Sequence, residues 1–250
     1  MANFRFAKKN KWKAQALTGF FAALDLLFPP VCGGCGKTGT RWCADCQDKV
    51  QPVRDPVCDV CGLPVTHNGL CSRCAQERPA YTALRSWAVF EKPVQTALHR
   101  LKYRRDRGLG EALAAQMAPF VSGLRWPFDA VIPIPLGKTR LRERGYNQVA
   151  MLAMPLSSLL DVDYFPGALA RARETRSQVG LTAEQRQENV QDAFLASARV
   201  RGRTLLLVDD VSTTGATLSS AADALYACGA DGVFAVTIAR ALPHHSLSVV

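Results

Sequence analysis

With 250 residues, 48% of them hydrophobic, the chain carries enough apolar material for a packed core, either one large domain plus a small module or two modest domains, and is not intrinsically disordered. Its formal net charge of +10 points toward phosphate-bearing partners (nucleotides, nucleic acid or a membrane surface) without choosing among them.

The chain opens on a basic arm, Arg5, Lys8, Lys9, Lys11 and Lys13, followed by AQALTGFFAALDLLFPP, an order of charge and apolar run like that of a signal peptide. Asp25 interrupts that run, the run is too short to span a bilayer, and the cysteine pairs that follow are typical of a reducing compartment. Leu17, Phe20, Phe21, Leu24, Leu27 and Phe28 instead recur at helical spacing and stop at Pro29 and Pro30. Residues 1–30 are therefore read as a basic arm and an amphipathic helix that docks on the protein body or a partner in the cytoplasm, with membrane association through the arm as the alternative.

Cys32 and Cys35, Cys43 and Cys46, Cys58 and Cys61, and Cys71 and Cys74 form four C-x-x-C units inside residues 31–76. A C-x-x-C knuckle presents two thiolates from one tight turn, so two knuckles complete one tetrahedral zinc site. Chain order pairs the first two knuckles and the last two; spacing alone also permits interleaving, and disulfides or redox-active dithiols are the competing chemistry. His67 lies between knuckles and reads as a loop residue, and Cys228 as a small buried apolar one. A segment with so few large aliphatics needs metal to hold together, which makes two zinc ions a folding device.

From residue 80 to 250 the pattern becomes that of an α/β domain. Strands are expected over 81–90, 129–134, 204–208 and 233–239, and helices over 94–103, 109–121, 148–160, 182–190 and 216–228. Alternation of this kind predicts a doubly wound, mostly parallel sheet whose ligand sits beyond the carboxyl ends of its strands, at a topological switch point. Residues 205–217, LLLVDDVSTTGAT, fit that place. The aliphatic run reads as a strand covered on both faces. Asp209 and Asp210 follow at its end, on opposite sides if the strand continues and free to address two hydroxyls if the chain turns. Ser212, Thr213, Thr214, Gly215, Ala216 and Thr217 then offer hydroxyl and backbone N–H donors where a helix begins, a cup for an anion. Carboxylates beside such a cup describe a sugar-phosphate site. Within this stretch there is neither G-x-x-x-x-G-K-[ST] nor G-x-G-x-x-G, and too little chain follows Asp210 for a receiver domain.

LLLVDDVSTTGAT resembles the phosphoribosyl-pyrophosphate signature of the type I phosphoribosyltransferase fold. Together with the C-x-x-C array, IPIPLGKTRLRERGYNQ at 132–148 and RARETRSQVGLTAEQRQENVQDAF at 171–194, it makes the chain similar to the ComF/GntX family over about residues 25–240. The resemblance implies a double zinc ribbon joined to that fold, a link to natural competence and DNA uptake, and phosphoribosyl pyrophosphate with Mg²⁺ as ligand. It assigns Asp209 and Asp210 to the ribose hydroxyls and residues 212–217 to the 5′-phosphate. Lys138, Arg140, Arg142 and Arg144 are assigned to the diphosphate, and residues 171–189, with Arg173, Thr175, Gln178, Arg186 and Asn189, to a closing loop. Transfer of the phosphoribosyl group to an unidentified acceptor is the implied chemistry. The alternative is a single-stranded-DNA-handling factor that binds without turnover, to which the basic runs at 8–13, 100–107 and 138–144 add support; only Trp12 and Tyr103 interleave aromatic rings with those runs.

Overall fold

The computed structural model describes residues 29–172 and 193–242. The helices expected over 17–28 and 182–190, and the candidates Arg173, Thr175, Gln178, Arg186 and Asn189, lie outside the described residues. Five strands, β1 (Ala83–Val89), β2 (Ala130–Pro133), β3 (Asp163–Tyr164), β6 (Thr204–Ser212) and β7 (Gly232–Arg240), form a sheet in the order β1-β7-β6-β2-β3. Every pairing in it is parallel. A separate antiparallel pair, β4 (Leu169–Arg171) with β5 (Phe194–Ala196), is not among the strands expected from sequence.

The longer helices follow apolar periodicity closely: α3 (Val94–Tyr103), α4 (Arg107–Gly123), α6 (Gln148–Leu159) and α7 (Ala216–Ala227). Two of them are capped by side chains. The Asp106 carboxylate accepts from Leu109 N at 3.0 Å, and Asn147 Oδ1 accepts from Val149 N at 3.0 Å, each satisfying an N–H that has no partner inside its helix. Short helices α1 (Ala44–Asp48) and α2 (Ser72–Gln76) each carry the second knuckle of a cysteine cluster, and α5 (Lys138–Arg144) follows β2.

Side-chain alternation along β6 divides the interior into two cores. Leu205 and Leu207 pack with α7, Tyr81, Phe165 and the cysteines Cys58, Cys61, Cys71 and Cys74. Leu206 and Val208 pack with α3, α4, α6, Trp42, Trp87 and the cysteines Cys32 and Cys46. Each face of the sheet thus incorporates one cysteine cluster into its own core. Among the described residues, no helix is long and apolar enough to cross a membrane.

Strand direction reverses its order of connection between β2 and β6: from β2 the chain moves outward to β3, and from β6 it moves the opposite way to β7. The crevice beyond the carboxyl ends of β2 and β6 is therefore the switch point of the sheet. Here β6 runs four residues past the expected end at Val208, because β7 continues to pair with it as far as Ser212↔Arg240. On the other side, β2 stops at Pro133↔Val208, where Pro133 and Pro135 lack the N–H needed to extend a ladder. Residues 209–212 consequently have a sheet neighbour on one edge and the crevice on the other.

Candidate functional site

Each set of four cysteines brings its sulfurs within 4.8 Å of one another, Cys32, Cys35, Cys43 and Cys46 in one and Cys58, Cys61, Cys71 and Cys74 in the other. Chain-order pairing is thus the arrangement adopted. Thiolates at about 2.3 Å from zinc in a tetrahedron stand about 3.8 Å apart, whereas a disulfide brings sulfurs to about 2.05 Å. The separations here are 3.6 Å for Cys32–Cys43 and Cys32–Cys46, and 3.7 Å for Cys35–Cys43 and Cys61–Cys71. The donor sets therefore fit structural zinc and not disulfides. Against the burial that disfavours charge, backbone N–H groups around Cys32 and Cys58 bring each thiol down to about 6, favouring the thiolate a metal requires. His67 is exposed and outside both clusters, and Cys228, half-buried rather than buried, donates its thiol to Ala196 O at 3.2 Å.

In the crevice, Asp209 and Asp210 are half-buried and each accepts from the amide that follows it, Asp210 N and Val211 N, at 2.8 Å. Alternation along β6 sends them to different faces. On the face of α3 and α6, Asp210 Oδ2 accepts from Gln148 Nε2 at 2.9 Å and lies 3.5 Å from Lys102 Nζ. Gln148 is buried, and its Oε1 accepts from Arg144 Nη1 at 2.9 Å. Burial opposes the charge of Asp210, but Lys102 and the Gln148 amide outweigh it and hold this carboxyl below the usual carboxylate range. For Asp209, burial and the neighbouring Asp210 charge act together and push the carboxyl up to about 8. The two carboxyls are thus shifted in opposite directions, Asp209 toward its protonated form and Asp210 toward its ionised one.

Beyond them the chain turns through Thr213 and Thr214 to Gly215, whose φ of +80° lies in the left-handed region, and α7 begins at Ala216. A Cβ on Gly215 would stand 2.5 Å from the Tyr81 hydroxyl, so glycine is required here by space as well as by conformation. Ala216 N donates to Thr214 Oγ1 at 3.3 Å, and Arg73 Nη1, from α2, donates to Thr214 O at 2.8 Å. Ser212 is not part of this turn: it closes β6, buried, with its Oγ accepting from Arg240 Nη1 at 3.1 Å. A cleft of about 680 Å³ opens beside the turn between the second cysteine cluster and α7, lined by Arg73, Arg78, Tyr81, Phe194, Ser219 and Asp223 among others.

Of the basic residues expected around a diphosphate, Arg144 reaches Asp210 through Gln148. Lys138 and Arg142 are exposed and Arg140 half-buried, with no link to Asp209 or Asp210 among the described residues. A basic and aromatic cluster adjoins them. Arg144 lies 5.3 Å over the ring of Tyr103, which is 55% exposed, His99 stands 4.8 Å from the same ring, and Arg105 lies 5.9 Å over Tyr146. Sequence reasoning missed Lys102, Gln148, Arg73, Tyr81 and Arg240. Gln148 ends the quoted segment 132–148, Lys102 falls in the basic run 100–107, and Arg240 is a lone charge closing an apolar strand, so these three had a local signal; Arg73 and Tyr81 had none.

Two families match the chain, the double zinc ribbon domain over residues 23–75 and the phosphoribosyl transferase domain over residues 149–245. The "DNA utilization protein YhgH" of Escherichia coli (strain K12) is 35% identical over 193 residues, covering 74% of this chain and 85% of that protein. "Competence protein F" of Haemophilus influenzae is 30% identical over 209 residues (80% and 90%), and "Competence protein ComFC" of Bacillus subtilis 28% over 220 residues (82% and 86%). Among solved structures, an adenine phosphoribosyltransferase from Thermoanaerobacter pseudethanolicus is similar at 14% identity and a TM-score of 0.35, covering 54% of this chain and 82% of that one. Identity at this level across most of both chains, with two cysteine ribbons joined to a phosphoribosyltransferase sheet, makes the protein a member of the ComF/GntX family.

Proposed function

We propose that the crevice between β2 and β6 binds phosphoribosyl pyrophosphate with Mg²⁺, or a related sugar phosphate, and that the protein serves DNA utilisation as its relatives' names indicate. In this reading residues 31–76 are a ribbon module and residues 80–250 the ligand-binding domain. The observation that carries it is the overrun of β6: with β2 ended at Pro133, Asp209 and Asp210 have no strand beside them on the β2 edge and stand directly before the Thr213–Gly215 turn and the start of α7. Asp210, ionised, would accept from one ribose hydroxyl, and Asp209, protonated at neutral pH, would donate to the other. Backbone N–H groups at the start of α7, with the threonine hydroxyls, would receive the 5′-phosphate. Basic residues of 138–144, Arg144 foremost, would stabilise the diphosphate as leaving group, and Mg²⁺ when bound would supply further charge neutralisation, which suits phosphoribosyl transfer to an acceptor. Calorimetry with phosphoribosyl pyrophosphate and Mg²⁺ tests the site; absence of binding refutes it, and release of pyrophosphate with a nucleobase, amine or DNA present identifies turnover.

A second reading, single-stranded DNA binding without turnover, is favoured by one specific observation. Beside Tyr103, which the sequence places in a basic run, the fold brings Tyr146 and His99 to the basic segments and so extends their aromatic interleaving. In this reading affinity for single-stranded DNA falls steeply with salt, and Tyr103→Ala costs about 1–3 kcal/mol as a lost stacking surface. Affinity insensitive to both salt and Tyr103 refutes it.

A further inference from the structure

The second cysteine cluster is bound to the Thr213–Gly215 turn by direct contacts. Arg240, 2% exposed at the end of β7, donates from Nη1 both to Cys61 O at 2.9 Å and to Ser212 Oγ at 3.1 Å, so one guanidinium holds a cysteine's carbonyl and the residue before the turn. Arg73, between Cys71 and Cys74, donates to Thr214 O at 2.8 Å within the turn. Tyr81, 2% exposed, fills the space between them, with its hydroxyl against Gly215 and no hydrogen-bond partner of its own among the described residues. The first cluster makes different contacts: Arg100 of α3 donates to Cys32 O, Arg41 pairs with Asp106 at 2.8 Å, and Gly33 packs on Leu109. None of those contacts reaches residues 212–217.

We propose that Arg73 and Arg240 are positioning residues that make the second four-cysteine centre the support of the anion-binding turn, so that metal retention at Cys58, Cys61, Cys71 and Cys74 and ligand binding at the turn are reciprocally coupled. The ligand half of this rests on the phosphate reading of residues 213–217; the structural half does not. A rigid turn needs its carbonyls and preceding strand end fixed from outside, because donors aimed at an anion gain nothing if they reorganise on binding. Thr214 O and Ser212 Oγ are the two points fixed here, and both donors that fix them also touch or belong to the ribbon. By linkage, whatever ligand binding does to the metal centre, the metal centre does to ligand binding by the same factor.

The test uses full-length, zinc-loaded protein. Cysteine alkylation in the presence of a zinc chelator is followed by peptide mass, which reads each cluster separately, alongside hydrogen exchange of residues 213–217. In the absence of ligand, Arg73→Ala at the exposed end of the link speeds alkylation of Cys58, Cys61, Cys71 and Cys74 and exchange at the turn, by about tenfold for a coupling of ordinary size, and leaves Cys32, Cys35, Cys43 and Cys46 unchanged. Arg73→Lys, which keeps a donor, restores most of the protection. Arg240→Met acts in the same direction if it folds, and the surface variant decides the matter if it does not. Phosphoribosyl pyrophosphate with Mg²⁺ then slows alkylation of the second cluster alone, and Arg73→Ala removes that slowing. If Arg73→Ala moves neither alkylation nor exchange, or if bound ligand slows both clusters alike, the coupling is overturned. If the ligand-free effects appear but phosphoribosyl pyrophosphate fails to bind, the structural link stands and the phosphate reading falls.

Discussion

The two faces of the sheet are built to the same plan and end in different places. Each takes a four-cysteine cluster into its core and fixes it by an arginine that donates to a cysteine carbonyl, Arg100 to Cys32 O on one face and Arg240 to Cys61 O on the other. On the α3–α4–α6 face the cluster sits at the margin: Cys35 is exposed and the neighbouring contacts are to helices. On the α7 face all four cysteines are buried, and the cluster abuts the turn at the head of the helix. One metal-binding pattern can therefore be a peripheral clip or a foundation, and what decides is the burial of its surroundings.

The largest expected effect comes from breaking each cluster in turn. Elemental analysis of protein prepared without chelator should give two zinc per chain, and a single zinc would remove the basis of the comparison. Zinc binding in isolated ribbons and fingers contributes on the order of 10 kcal/mol, comparable with the whole stability of a domain. Cys35→Ser, at an exposed ligand, should loosen the first ribbon while far-ultraviolet circular dichroism of the α/β region survives. Cys61→Ser should take the α7 face with it, because Tyr81, Leu84 and α7 pack in the same core as the vacated thiolates. Equal loss of secondary structure in both variants would erase the distinction.

Backbone positions sharpen the comparison at a smaller scale. Gly62, φ +66°, follows Cys61 where the second ribbon joins β1, and a Cβ there would lie 2.5 Å from Leu84 O, a backbone atom that cannot step aside without disturbing the Leu84 N to Val60 O bond of 2.7 Å. Gly39, φ +107°, lies beside the first cluster and would meet nothing within 4 Å. Gly39→Ala should incur only the backbone term of about 1–2 kcal/mol, and Gly62→Ala the same term plus the clash, or about 3 kcal/mol or more by denaturant unfolding. A Gly62→Ala cost no larger than that of Gly39→Ala would show that the second ribbon can shift on the sheet.

How much of this was legible in the sequence follows from the range of each interaction. The cysteine knuckles and the helices α3, α4, α6 and α7 depend on spacing within one turn or one face, and the sequence predicted them closely. The length of β6 depends on β7, which lies twenty residues further on and supplies partners through Arg240, so an aliphatic run that stopped at Val208 understated the strand. Pairing of the knuckles was open from spacing and is fixed by packing on two different faces. The environment of Asp210 is assembled from α3 and α6, through Lys102 and Gln148, across more than sixty positions of sequence for Gln148, and no local pattern announces it. Arg240 stood out in sequence only as a lone charge in an apolar strand, and the partners of Arg73 and Arg240 follow from the contact of ribbon and sheet.

The smallest effects on stability, and the most informative for the site, are expected at the two aspartates, which carry the contrast between faces into the crevice. Asp209 retains its proton in the folded chain up to about 8, whereas an unfolded aspartate loses it near 4, so between those values the folded state binds more protons and stability falls as pH rises. Asp209→Asn removes that titration; the variant should match the parent near pH 4 and exceed it in stability at pH 8 and above. Asp210 is held below the ordinary range, so its contribution is present above the unfolded pKa and disappears as pH falls through the folded one; Asp210→Asn should lower stability at neutral pH and leave Lys102 without its carboxylate. Sugar-phosphate affinity separates them again. A charge-assisted hydrogen bond is worth roughly 1.5–3 kcal/mol, so Asp210→Asn should weaken binding at pH 7 by about one to two orders of magnitude. Asp209→Asn keeps a donor in place of a protonated carboxyl and should cost less at pH 7, with the loss growing above pH 8 where the parent is ionised. Calorimetry across that range is the measurement, and affinity that survives both substitutions at every pH would refute the assignment of the crevice to the sugar.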